Sequence, residues 1–220
     1  MNSAGRASEP NVAVPAAAGV ADVALGYEPS PGEGGEARIW IPRGGSHRIP
    51  GLDEARKAKL LGAALELKPE RGGRLVLLGT DVGELTHARR AALRSRVAFL
   101  PAAGGLLSQL NAWENMVLPL GFHHPKRLRG IAARVHDLLA SLGGEQRLLL
   151  DKLPEKMSLY EKKLTGYVRI LLEEPELVLI EDLTRGLSAA ERDGTAGFFA
   201  AYHALCPEGT FVQLETRPDA

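Results

Sequence analysis

The chain has a single cysteine, Cys206, in 220 residues. That excludes an intrachain disulfide and any metal cluster built on several thiolates, and it makes a reducing cytosol the natural compartment. Net charge is missing as well: 27 Lys and Arg balance 27 Asp and Glu, with a pI near 7.0. No bulk field draws the molecule to nucleic acid or anionic lipid, so a polyanionic partner is not expected. Long apolar runs are absent, and none approaches the roughly 18 residues of a membrane span. The most apolar N-terminal stretch, residues 11–25, contains Pro15 and Asp22 and lacks a basic leader segment, unlike a secretory signal. Any membrane association has to run through a partner. There is no internal repeat.

What is present reads as one α/β domain, long enough to bury about 70% of its unfolded surface. Residues 1–18 are Ala, Pro, Ser and Gly with almost no large apolar groups and are read as a disordered lead-in to a domain at 19–220. Residues 20–27 alternate like a strand, and a Gly/Pro loop separates them from a second strand at 37–42, a plausible antiparallel pair. Residues 51–69 form a helix with Asp53 at its N-cap, Leu60, Leu61, Ala64 and Leu65 at helical spacing, and Pro69 beyond its end. Strands follow at 73–81 and 96–101. The stretch 104–157 is mostly helical; its clearest element, at 130–144, puts Ile131, Val135, Leu138, Leu139 and Leu142 on one face. Helices at 158–175 and 188–206 alternate with strands near 177–181 and 210–215. This alternation predicts right-handed crossovers and a mainly parallel sheet with a helical insertion.

One strand ends abruptly on two acids. Residues 176–188, ELVLIEDLTRGLS, run through a buried strand and release Glu181 and Asp182 at its carboxyl end, where open α/β sheets present carboxylates to a metal or phosphate. The plainer alternative is that a strand must leave the core on polar residues. His123 and His124 lack a third ligand for a metal and read as a polar loop. Lys126, Arg127, Arg129 and Arg134 read as a solvated basic face, the alternative being a lipid-headgroup patch. Trp113 suits either a partner's helix or the core.

The order and spacing of these segments resemble the nucleotide-binding subunit of an ATP-binding cassette (ABC) transporter, from about residue 20 to the C-terminus. Tyr27 ends the first strand where that family places the aromatic that stacks on adenine. Residues 41–61 lie without gaps over its strand, phosphate loop and helix. Residues 111–120, NAWENMVLPL, are similar to the segment after its glutamine loop. Residues 156–188 resemble its signature helix, second nucleotide strand and following loop. Within cassettes, ENMVLPL and GTDVGEL are most similar to Mce-type phospholipid transport or amino-acid importer subunits. The resemblance implies a P-loop NTPase-like fold with a small antiparallel β region, ATP and Mg²⁺ as cofactors, a transmembrane permease and a second cassette subunit as partners, and a cytoplasmic location on the inner membrane.

The residues that carry the family's chemistry are altered. A phosphate loop, G-x-x-x-x-G-K-[ST], uses glycines so that backbone N–H groups wrap phosphate, a lysine for the β/γ oxygens and a hydroxyl for Mg²⁺. Gly51 and Lys57 hold their places, but Arg56 replaces the second glycine and Ala58 the hydroxyl. Asp53 and Glu54 stand at the helix N-terminus that would receive phosphate, each costing on the order of a few kcal/mol beside a triphosphate. Residues 157–161, MSLYE, replace L-S-G-G-[EQ]; Ser158 keeps the serine, and with Glu161 it also makes a capping box. The family's Mg²⁺-binding aspartate and water-polarising glutamate are reversed here as Glu181 and Asp182, so the resemblance assigns the metal to Glu181 and doubles both as the catalytic pair. Ala102, Thr216 and Ser188 replace the expected glutamine, histidine and aspartate. The expectation is an ABC-type subunit bound to a permease with impaired or lost hydrolysis. An active ATPase using Glu181 and Asp182 in exchanged roles, or an interaction domain without nucleotide, are the alternatives.

Overall fold

Two sheets share one wall of the core. The computed structural model describes residues 20–30, 38–143 and 146–216, so the expected lead-in at 1–18 lies outside the described residues. Strands β1 (Val23–Glu28), β2 (Ile39–Pro42), β4 (Arg74–Leu77) and β5 (Thr80–Asp81) form an antiparallel sheet in the order β2-β1-β4-β5. Strands β3 (Gly45–Leu52), β6 (Val97–Leu100), β7 (Leu177–Glu181) and β8 (Thr210–Thr216) form a parallel sheet in the order β3-β8-β7-β6. The helices are α1 (Glu54–Glu66), α2 (His87–Arg94), α3 (Ala112–His123), α4 (Ile131–Ser141), α5 (Gln146–Leu149), α6 (Leu159–Glu173) and α7 (Ala189–Leu205). The expected pair of N-terminal strands is present as β1 and β2, and the stretch 104–157 holds α3, α4 and α5.

The parallel sheet is covered on both faces, which is why β7 is an unbroken apolar run rather than an alternating one. Leu177 and Leu179 face a core shared with β1, β2, β4 and α1, while Val178 and Ile180 face a second core built on α3, α4, α6 and α7. Alternation with period two sends successive side chains of one strand into different cores. On α6, Gly166 permits the close approach that seats this helix: a Cβ there would stand 3.0 Å from the Gly104 carbonyl oxygen and 2.2 Å from Leu100. Arg127 and Arg134 are not a free basic face. Arg127 donates to the Leu172 carbonyl and both pair with Glu174, so together they satisfy the C-terminal end of α6.

Candidate functional site

The carboxyl ends of β3, β8 and β7 meet at one crevice. Leu52 is registered against Thr216 and Glu181 against Leu214, so the strand register brings Thr216, Glu181 and Asp182 to the start of α1. Gly51 turns out of β3 with φ +70, a left-handed conformation suited to glycine. Between Leu52, the last residue of β3, and Glu54, the first of α1, only Asp53 remains. No loop is left to wrap a phosphate. The cause is local: Asp53 is an N-cap whose Oδ1 accepts the Arg56 amide at 2.7 Å, while its carbonyl accepts the Lys57 amide at 3.0 Å. A good cap followed by Glu-Ala-Arg starts the helix before Lys57, where a glycine at position 56 would disfavour it by about 1 kcal/mol.

This early start carries Lys57 onto the buried face of α1, in line with Leu60, Leu61 and Ala64. The side chain is 3% exposed. Its ammonium lies 2.7 Å from Glu181 Oε1, 3.0 Å from Asp182 Oδ2 and 3.1 Å from Glu54 Oε2, and donates to Thr216 Oγ1 at 2.6 Å. Burial alone would lower the Lys57 pKa, but hydrogen bonds to Glu181, Asp182 and Glu54 raise it on balance. The carboxylates are themselves held. Glu181 Oε2 accepts the Ala102 amide at 3.1 Å; Asp182 Oδ1 accepts the Thr216 amide at 2.8 Å and Oδ2 its hydroxyl at 2.7 Å. Burial would raise the Asp182 carboxyl, but the Thr216 hydrogen bonds and Lys57 hold it below its usual range.

Of the residues singled out from sequence, Lys57, Glu181, Asp182, Glu54, Thr216 and Ala102 therefore meet in one network, and Gly51 sits at its edge. Others serve elsewhere. Tyr27 is a correction: it is 1% exposed, packed in the core between the two sheets, and offers no ring face to a purine. It stands on the face of β1 that packs with Leu60, Leu177 and Leu179, so its side chain is directed into that core. Ser158 is the N-cap of α6, its hydroxyl accepting the Glu161 amide while Glu161 accepts the Ser158 amide at 2.8 Å. Ser188 caps α7 in the same way with Glu191. Leu159 packs toward Gly186 and Tyr160 toward Gly194, so the two residues that replace the signature glycines fill space within the chain.

A further residue belongs to the network. Lys163, on α6, is 1% exposed and donates to the carbonyls of Asp182, Leu183 and Arg185 at 2.8, 2.9 and 3.2 Å. A signal for it exists in the sequence: it shares helical spacing with Tyr167 and Ile170, so a lysine stands on an apolar face. Asn115 is likewise buried, accepting the Leu107 amide and donating to the carbonyls of Leu107, Leu110 and Asn111, which shapes the loop before α3.

The phosphates of a nucleotide and their Mg²⁺ do not fit these residues as they stand. The amides of Arg56 and Lys57 are used by Asp53, the Lys57 ammonium is saturated, Ala58 supplies no oxygen, and both acids at 181 and 182 already hold a cation. On the far side of β6 lies a groove of about 330 Å³ lined by Val97, Phe99, Leu118, Pro119, Arg94 and Arg169 among others. Leu107, on its wall, is 50% exposed, and Phe122, on the Leu118 and Pro119 face of α3, is 79% exposed. Trp113 is half-buried against the helical core.

No protein-family model matches the chain. It is 32% identical over 161 residues to the lipoprotein-releasing system ATP-binding protein LolD 2 of Caulobacter vibrioides, covering 73% of this chain and 68% of that one. It is 29% identical over 162 residues to the probable ribonucleotide transport ATP-binding protein mkl of Mycobacterium tuberculosis, covering 70% of this chain but spanning only 44% of that relative's length. Among solved structures it superposes on cbiO1 of Clostridium perfringens, part of the ABC transporter complex cbiONQ, with a TM-score of 0.66 at 19% identity, covering 90% of this chain and 79% of that one. The ATP-binding cassette MJ0796, solved as a dimer with ADP and Pi, gives 0.64 at 18% identity, with 88% of each chain covered. The strand order, the helical stretch and these identities agree: the chain belongs to the ATP-binding proteins of ABC transporters.

Proposed function

We propose that this chain is a cassette subunit whose own side chains occupy its nucleotide site, so that it joins a membrane permease and a second cassette as a structural or regulatory half with lost or strongly impaired ATP hydrolysis. The observation that carries this is the saturation of Lys57 by Glu54, Glu181, Asp182 and Thr216 under a helix that begins too early to leave a phosphate loop. The exchange of Glu181 and Asp182 supports it, because Mg²⁺ requires near-ideal octahedral distances and catalytic groups tolerate errors of only about half an ångström. The dimeric state of MJ0796 supports a second cassette as partner, and the membership of cbiO1 in a transporter complex supports a permease. Its place is then the cytoplasmic face of the inner membrane. The groove beside β6, with Leu107 and Phe122 exposed at its border, suits a short permease helix with an apolar face.

The test is thermal unfolding with and without ATP and Mg²⁺, together with turnover. The native protein shows no ligand-induced rise in Tm and no hydrolysis above background. Rebuilding the loop with Asp53→Ser, Glu54→Gly, Arg56→Gly and Ala58→Ser restores binding, worth about 2.7 kcal/mol of added stability at a hundredfold excess over Kd. Hydrolysis by the native protein at ordinary cassette rates, abolished by Lys57→Ala, would overturn the reading. Turnover arrested with ATP trapped by Asp182→Asn would instead establish the exchanged-role enzyme.

A further inference from the structure

Lys163 is a buried lysine with no carboxylate among its hydrogen-bond partners in the described residues. Its three N–H protons are matched to three backbone carbonyls, all from the turn that follows β7. That turn opens on Asp182 at φ +41, a left-handed conformation that costs a residue with a Cβ about 1 kcal/mol or more. Its carbonyl oxygens converge, and converging oxygens repel unless a cation or donor sits between them. The φ of Asp182 sets the direction of its Cβ, and with it the reach of one carboxylate oxygen to the Thr216 amide and the other to Lys57.

We propose that Lys163 is a positioning residue: by gripping the Asp182–Arg185 turn from α6 it holds the Asp182 carboxylate on Lys57 and so keeps the nucleotide site occupied by the chain itself. The helix that Ser158 caps is thereby tied to the phosphate-loop lysine through one turn of backbone. This rests on the self-occupied reading of the site, and its test separates the two.

The readout is the rate of reductive methylation at Lys57, followed by mass spectrometry on the full-length protein. In the native chain Lys57 stays protected while surface lysines react. Lys163→Met keeps the length of the stem but removes all three donors, and Lys57 then reacts faster by about fivefold or more, within the ordinary range of coupling between linked groups. Simple electrostatics predicts the opposite sign, because deleting a positive charge near Glu181 and Asp182 would tighten their hold on Lys57. Val168→Ala, a buried apolar truncation on the same helix, serves as a control for loosened packing and leaves Lys57 protected. If Lys163→Met does not fold, Lys163→Gln, with two donors on a shorter stem, takes its place and gives the same change at smaller size. A folded Lys163 variant that leaves Lys57 as protected as before overturns the proposal, as does an equal rise in Val168→Ala. Rapid labelling of Lys57 in the native protein would instead overturn the self-occupied reading beneath it.

Discussion

At Lys57 one ammonium with three protons serves four residues, and three of those are acids. Removing it therefore does more than delete a side chain, because Glu181 and Asp182 are left adjacent and largely desolvated, with the half-exposed Arg185, 3.7 Å from Asp182 Oδ2, as a weak substitute for the buried ammonium. Lys57→Met is expected to destabilise the fold by about 3 kcal/mol at neutral pH, in the range for breaking a buried pair by removing one partner. A lysine held in reserve for a ligand has the opposite tendency, since sites kept for function commonly cost stability. The pH dependence identifies the cause. Asp182 titrates below its usual value when folded, so its contribution is complete above the unfolded pKa near 3.9 and is lost as pH falls through the lowered folded value. In Lys57→Met that depression is partly gone, so the stability gap between the two proteins narrows as acid neutralises the carboxylates. Urea melts across this range measure it; a gap that stays constant would mean that Lys57 contributes through the packing of its stem.

Among the elements, α6 carries the sharpest contrast between inherited frame and present use. Its first turn occupies the position of the family's signature loop, yet Ser158 and Glu161 satisfy each other's backbone amides and Leu159 and Tyr160 pack within the chain. Ser158→Ala is expected to cost about 1 kcal/mol, and Ser158→Asp to restore most of it, because aspartate caps as well as serine. Chemical denaturation of the two variants checks this, and a Ser158→Asp protein no more stable than Ser158→Ala would remove the capping role. The legibility of the elements follows from how much each buries. Helix α4 was readable because Ile131, Val135 and Leu139 form a continuous apolar stripe, and β7 because both its faces are covered. Helix α2 was not, since Leu93 is its one buried residue. Strand β3 hides among turn signals, for Gly45, Pro50 and Gly51 are tolerable only in a strand paired on a single side, where Pro50 forfeits no ladder hydrogen bond on the open edge. The acids at 181 and 182 were legible as a site because they end an apolar run. Their partner was not fixed by any local pattern: Lys57 lies 125 residues from Asp182 and 159 from Thr216, and only the registers of β3, β8 and β7 bring them together.

The molecule as a whole has two regions that differ in how far the chain fills them. One is the crevice at the strand ends, closed by the chain's own charges. The other is the groove beside β6, which remains open and has Leu107 on its wall and Phe122 nearby on α3. Exposed apolar side chains bordering a concavity are what a docking partner would cover. Arg94 and Arg169 line the same groove while donating to the carbonyls of Val97, Gly105 and Gly104, so a helix docking there would meet mostly apolar walls with a charged margin. Phe122 touches little of its own fold, so Phe122→Ser is expected to change the stability of the isolated protein by no more than about 0.5 kcal/mol. If the groove is where the permease docks, the same change removes an aromatic anchor and weakens co-purification with the permease from membranes by about tenfold, near 1.4 kcal/mol. Glu208→Ser, on the exposed loop between α7 and β8, supplies a control that leaves capture unchanged. Equal capture by native protein and Phe122→Ser would remove this face from the interface and leave the groove as a feature of packing between β6, α3 and α6 alone.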